Sequence, residues 1–171
     1  MDKYVDKILE ILHDHKLTYP INIIQIAAEN GIKVFTGTMN ENTSGMILIS
    51  PNPIDSYGTN KLILVNYNDC DARQRFSIAH ELAHYFLHYK GTAYFANRSI
   101  NGVTSKEEKE ADIFAAELLM PYNSVKNEFY NYTRNCSSKL ITRDMIINNI
   151  KNKFLVSYDA ARIRLEKLRL L

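Results

Sequence analysis

The spacing of apolar side chains predicts helices at both ends of the chain and strands between them. Apolar residues recur every three or four positions up to about residue 15, in 23–28, in 72–89 and in four segments between 105 and 168. This period is typical of helices packed on one side. Short β-rich runs at 32–35, 46–49 and 61–65 predict three strands.

Glycine and proline mark where these elements end. Gly31 follows the second helical segment, in the position where a left-handed residue commonly closes a helix. Pro51, Pro53 and Gly58 predict a loop between the second and third strands, and the small and polar residues of 91–104 predict another. Ser105 is predicted to cap the helix that follows, and Ser157 to cap the last helix of the chain.

The order of these elements predicts an α+β fold. We expect a small antiparallel three-stranded sheet packed with the helix at 72–89, followed by a C-terminal helical bundle. At 171 residues the chain fits a single domain, 1–171, with a core at 1–122 and a helical C-terminal subdomain at 123–171.

Composition excludes several classes of protein. A hydrophobic content of 46% is ordinary for a globular domain, and a net charge of +2 gives no strong attraction to nucleic acid or to a membrane. Cys70 and Cys136 lie far apart, which favours a reducing compartment. The first residues lack the apolar stretch of a signal peptide, and no apolar run is long enough to span a membrane. We therefore expect a cytoplasmic protein.

The segment from His80 to His84 carries the strongest chemical signal, because it reads H-E-x-x-H within the helix at 72–89. Residues four apart lie one turn above each other, so both imidazoles can bind one metal ion. Glu81 then lies close enough to act on water activated by that metal. The pattern predicts a catalytic zinc site.

A catalytic zinc site needs a third protein ligand. His88 falls on nearly the same helix face, but eight residues of helix span about 12 Å, whereas atoms bound to one zinc lie roughly 3–3.5 Å apart. The metzincin arrangement is not available either, since Lys90 occupies the position of its third histidine. A carboxylate from the next helix remains, and the candidates are Glu107, Glu108, Glu110, Asp112 and Glu117.

Among these acids the chemistry favours Glu110, with Glu107 next. Glu110 lies in the middle of its segment, beside the apolar stripe of its helix. Glu107 and Glu108 fall in the first turn, where the helix dipole favours acids without any ligand role. Ser105 followed by Glu108 also has the spacing of a capping box, which gives Glu108 a structural explanation.

The five residues His80–His84, called the pentad below, and the residues around them resemble a known family. His80 to His88 reads HELAHYFLH, and Glu110 to Pro121 reads EADIFAAELLMP. This joint pattern resembles the ImmA/IrrE family of metallopeptidases, and 26–34 and 154–165 are similar to that family's opening and closing units. Asp112 departs from the pattern, because many relatives have Asn there. The resemblance implies zinc on His80, His84 and Glu110, with Glu81 as general base.

The resemblance also implies a function. We expect a zinc-dependent endopeptidase, with manganese as the alternative metal, that cleaves a helix-turn-helix repressor of the XRE type from a phage or mobile element. Two other hypotheses stay open. One is a metal-binding regulatory protein without proteolytic activity. The other is a DNA-binding regulator, based on the basic C-terminal residues, although the acids among them argue against direct nucleic-acid binding.

Overall fold

The computed structural model describes residues 4–13, 18–91, 93–99, 105–135 and 141–171. The end of the first predicted helix, part of the predicted loop at 91–104, and Cys136 lie outside these ranges. The described elements follow the order α1 (Val5–His13), α2 (Ile23–Glu29), β1 (Lys33–Gly37), β2 (Thr43–Ile54), β3 (Thr59–Asn66), α3 (Asp71–Leu87), β4 (Tyr94–Ser99), α4 (Lys106–Leu119), α5 (Tyr122–Asn135), α6 (Arg143–Phe154) and α7 (Tyr158–Lys167).

The chain separates into two compact units. One comprises Asn22–Ala115, and the other comprises Met1–Ile21 together with Ala116–Leu171. The division falls inside α4, and the boundary after residue 122 stays a prediction from the sequence. The first unit contains the sheet and α3, and the second contains α1 and α5 to α7.

A four-stranded mixed sheet, in the order β1-β3-β2-β4, forms the frame of the unit Asn22–Ala115. β2 pairs antiparallel with both β3 and β4, while β1 pairs parallel with β3. The α+β class is confirmed, but the three-stranded antiparallel sheet differs from the structure by one strand and by one parallel pair. Strand pairing depends on contacts distant in sequence, which the alternation of side chains does not reveal.

Two predicted loops are partly strand. β2 continues through Pro51 and Pro53 to Ile54, and its register with β3 is interrupted between Ile49 and Ile54. Proline has no N–H to donate, so it is tolerated where the ladder of hydrogen bonds is interrupted. β4 lies within the predicted loop at 91–104, at the edge of the sheet.

The helix α3 is buried on all sides around the pentad. Every residue of the stretch 77–84 is buried, and two full turns of a helix present all its faces. The apolar spacing predicted a helix packed on one side only. The structure corrects this, because α3 contacts β2, β3 and β4 as well as α2. Polar side chains in this stretch are therefore held inside the protein, where they need partners.

Local signals at the helix ends are confirmed. Gly31 adopts a φ of +70° just after α2, a conformation that glycine reaches without steric cost. The Ser105 Oγ accepts a hydrogen bond from the Glu108 N–H at 3.1 Å, and the Ser157 Oγ accepts one from the Ala160 N–H at 3.1 Å.

Among the described residues, no helix has both the length and the apolar character needed to cross a bilayer.

Candidate metal centre

Two histidines of α3 face each other one turn apart. His80 and His84 are each 1% exposed, and their Nε2 atoms lie 3.1 Å from each other. Their spacing on an unbroken helix places both imidazoles on one face, as the sequence predicts. Two Nε2 atoms therefore converge on one point inside the unit Asn22–Ala115.

The carboxylate of Glu108 completes this group. Its Oε2 lies 3.0 Å from His80 Nε2, and its Oε1 lies 3.0 Å from His84 Nε2. Zinc bonds to nitrogen and oxygen ligands of about 2.0–2.2 Å place the ligand atoms of a tetrahedral site roughly 3–3.5 Å apart. The three side chains therefore fit a divalent metal ion, and among the described residues they form the group of histidines and acids that could hold one.

The structure places Glu110 elsewhere. Its Oε2 lies 4.0 Å from His88 Nε2, and both side chains are less than a fifth exposed. The carboxylate of Glu108, and not that of Glu110, lies beside His80 and His84. We therefore propose Glu108 as the third metal ligand. The physical reason is the rotation of α4: residues two apart on a helix point in widely different directions.

From the sequence, Glu108 is a first-turn acid favoured by the helix dipole, and it also fits a capping box with Ser105. Half of that pattern is confirmed, since Ser105 Oγ accepts from the Glu108 backbone N–H. The carboxylate does not complete the box, because both of its oxygens face the imidazoles. A sequence signal did exist: Glu108 and Asp112 lie one turn apart, on the side of α4 that also carries the buried Ala111 and Ala115.

The opposite nitrogen of each imidazole also has a partner. His80 Nδ1 lies 2.9 Å from Asp112 Oδ1, and His84 Nδ1 lies 3.0 Å from the Tyr94 hydroxyl. Partners of this kind fix the ring orientation of a metal-binding histidine and select which nitrogen carries the proton. Asp112, a candidate metal ligand from the sequence, contacts instead the nitrogen of His80 that points away from the metal group.

Negative charge dominates the electrostatics of the group. Burial alone lowers the His80 pKa, but hydrogen bonds with Asp112 and Glu108 and the charge of Glu81 outweigh it and raise that pKa to about 9. Hydrogen bonds from His80 and then His84 hold the pKa of Glu108 well below its usual range. Burial, followed by the charges of Glu107 and Glu81, raises the pKa of Tyr94 to about 12. The site thus favours a cation at the imidazoles.

Glu81 lies beside this group, fully buried on α3. The strand β2 passes close to it at Gly45, where a built Cβ would lie 3.4 Å from Glu81 Oε1 and 3.2 Å from Ser77 Cβ. The absence of a side chain at Gly45 therefore leaves room for the Glu81 carboxylate between helix and strand.

Comparisons with known proteins agree with this geometry. The family described as Peptidase_M78, IrrE N-terminal-like domain, matches residues 27–166. A curated relative, the metallopeptidase ImmA of Bacillus subtilis (strain 168), is 33% identical over 78 residues, which is 46% of this chain and 46% of that protein. The matched part thus spans less than half of the relative's length. The chain belongs to the ImmA/IrrE family of metallopeptidases.

Proposed function

We propose that this protein is a zinc-dependent endopeptidase that cleaves a helix-turn-helix repressor of the XRE type, encoded by a phage or mobile element. The observation that carries the proposal is the convergence of His80 Nε2, His84 Nε2 and the Glu108 carboxylate at separations near 3 Å. Family membership and the name of the relative ImmA support peptidase activity. The repressor as substrate rests on the resemblance described in the sequence analysis.

Each residue of the centre has a distinct role in this proposal. His80, His84 and Glu108 would hold a divalent cation, with zinc expected and manganese as the alternative, which would supply Lewis acidity toward the scissile carbonyl and toward water. Glu81 takes the proton from the attacking water and later gives it to the leaving amine. Asp112 orients His80 by accepting a hydrogen bond from its Nδ1–H.

Glu81 separates catalysis from simple metal binding. Its carboxylate does not belong to the group that could hold the metal, so a regulatory protein that only binds a metal has no chemical need for it. A fully buried glutamate directly after a metal ligand, on the same helix, supports a chemical role for Glu81.

The basic C-terminal residues give little support to a DNA-binding function. Arg164 is buried and forms an ion pair with Glu117, and it also donates to the Met120 carbonyl at 3.0 Å. Arg162 pairs with Glu166. A DNA-binding face needs arginine and lysine side chains available to phosphates, and the buried Arg164 is not available.

Cleavage of the neighbouring repressor by purified protein tests the proposal directly. We expect the wild-type chain, supplied with zinc or manganese, to cut the helix-turn-helix repressor encoded beside its gene at one position. Glu81→Gln should retain the metal but lose about 10²- to 10⁴-fold in cleavage rate, because only the proton acceptor is removed. The fragments can be measured by mass spectrometry and the bound metal by atomic absorption.

Two results would contradict the proposal. A repressor that stays intact under every metal and temperature condition would argue against this substrate. Equal cleavage by the wild type and by Glu81→Gln would show that this carboxylate is not the base.

A further inference from the structure

The two histidines of the metal centre are oriented by different kinds of group. The Nδ1 of His80 faces a carboxylate, Asp112 on α4, whereas the Nδ1 of His84 faces a phenol, Tyr94 on β4. The function proposed above accounts for the first contact through Asp112. It gives no role to Tyr94, whose contact is made at a distance of 3.0 Å by a half-buried side chain.

The direction of the hydrogen bond follows from the metal-binding atom. If His84 binds a cation through Nε2, its neutral ring carries the proton on Nδ1. The Nδ1–H then donates to the Tyr94 oxygen, which accepts it. The two ring centroids lie 6.2 Å apart, so the contact is made through the hydroxyl and not by stacking of the rings.

The pairing of β4 with β2 places Tyr94 beside His84 of α3. Tyr94 is the first residue of β4 and pairs with Ile49 of β2, whose side chain is only 3% exposed. α3 contacts both of these strands. The register of the edge strand therefore determines where the phenol oxygen lies relative to His84.

We propose that Tyr94 is a positioning residue: its oxygen accepts the His84 Nδ1–H and so fixes the tautomer and ring orientation that direct His84 Nε2 toward the metal. The inference rests on the proposed function, since it assumes a metal at His80, His84 and Glu108. It assigns the edge strand of the sheet a part in the metal centre, beside the part of α4.

Tyr94→Phe tests this role, because it keeps the ring and removes only the oxygen. We expect zinc affinity, measured by competition with a chelator, to fall about tenfold, the lower end of the effect of losing such a partner. The visible absorption of the cobalt-substituted protein should shift, since the His84 ring is no longer held. The circular dichroism and melting temperature of the metal-free protein should match the wild type.

Tyr85→Phe is the matched control. The Tyr85 hydroxyl accepts a hydrogen bond from Lys61 Nζ at 3.1 Å, so this variant also removes one bonded tyrosine oxygen, here from a residue of α3 itself. It should leave zinc affinity and the cobalt spectrum unchanged.

The inference fails if Tyr94→Phe binds zinc with wild-type affinity and gives the wild-type cobalt spectrum, even if its cleavage rate falls. Unchanged zinc binding together with a reduced cleavage rate would show that the Tyr94 hydroxyl acts on the substrate and not on His84. Failure of the wild-type protein to bind zinc or cobalt would overturn the inference together with the proposed metal centre, and is therefore distinguishable from failure of the inference alone.

Discussion

His80 is held from both sides by one helix. Glu108 and Asp112 lie one turn apart on α4, and each contacts a different nitrogen of the same imidazole. A carboxylate that accepts from Nδ1–H makes the opposite nitrogen a better metal ligand. The role of residue 112 is therefore to supply an oxygen that accepts a hydrogen bond from the His80 Nδ1–H. The side-chain amide oxygen of asparagine can also accept this bond.

Two substitutions of Asp112 should therefore differ in their effect on zinc binding. Asp112→Ala should weaken zinc binding by roughly 10- to 100-fold, because the His80 ring loses its acceptor. Asp112→Asn should weaken it less, since its amide oxygen can still accept. Chelator competition measures both affinities, and Asp159→Asn on α7, whose side chain is 78% exposed, serves as the control. Equal affinities for the alanine and asparagine variants would contradict the orienting role.

At the scale of elements, β2 packs closely on α3 beside Glu81, and this packing limits where the Glu81 carboxylate can lie. Gly45 of β2 lies against Ser77 and Glu81. The contact at Ser77 involves a Cβ, which moves only with its backbone. An added methyl group would therefore have to displace the strand, the helix or the Glu81 carboxylate.

We predict that Gly45→Ala destabilises the protein by about 1–3 kcal/mol and lowers the rate of cleavage. Gly37→Ala is the matched control, because a Cβ there would meet Leu64 Cδ1 at 3.3 Å, and the end of that side chain can move. Urea unfolding measures both variants. If Gly45→Ala were as stable and active as Gly37→Ala, the close packing of β2 on α3 would not matter for the site.

At the scale of the whole molecule, the unit formed by Met1–Ile21 and Ala116–Leu171 contains a buried ion pair. Arg164 and Glu117 are 7% and 4% exposed, and the Glu117 Oε1 also accepts from the Tyr122 N–H at 2.8 Å. Removing one member of such a pair leaves the other charge buried without compensation.

Arg164→Met should therefore destabilise the chain by about 3–5 kcal/mol. Arg162→Met should change stability little, because its pair with Glu166 is exposed to solvent, where ion pairs contribute weakly. Chemical denaturation of both variants, followed by circular dichroism, measures the difference. Similar stabilities would show that the buried pair does not hold this unit together.

Local signals were sufficient to predict most helices and their ends. The glycine after α2, the serine caps of α4 and α7, and the apolar spacing of α3 depend only on neighbouring residues, and the structure contains all of them. The parallel pairing of β1 with β3 joins Val34 to Ile63, and no local pattern encodes such a pair. β4 was missed because it follows small and polar residues at the edge of the sheet, where Phe95 is exposed.

The candidate site likewise has residues that local spacing predicts and one that depends on packing between helices. His80, Glu81 and His84 follow from the spacing within one helix. The carboxylate of the group depends on which side of α4 faces α3, and that rotation is set by packing between helices. Glu108 was therefore assigned to a local capping role, whereas the structure gives its backbone that role and its carboxylate another.

Metal content of two glutamine variants tests the central claim most directly. We predict that Glu108→Gln loses zinc after dialysis, because the charged oxygens that face His80 and His84 are replaced by an amide. Glu110→Gln, two residues along the same helix, should retain one zinc per chain. The opposite result, with zinc lost from Glu110→Gln and kept by Glu108→Gln, would contradict the metal centre described here.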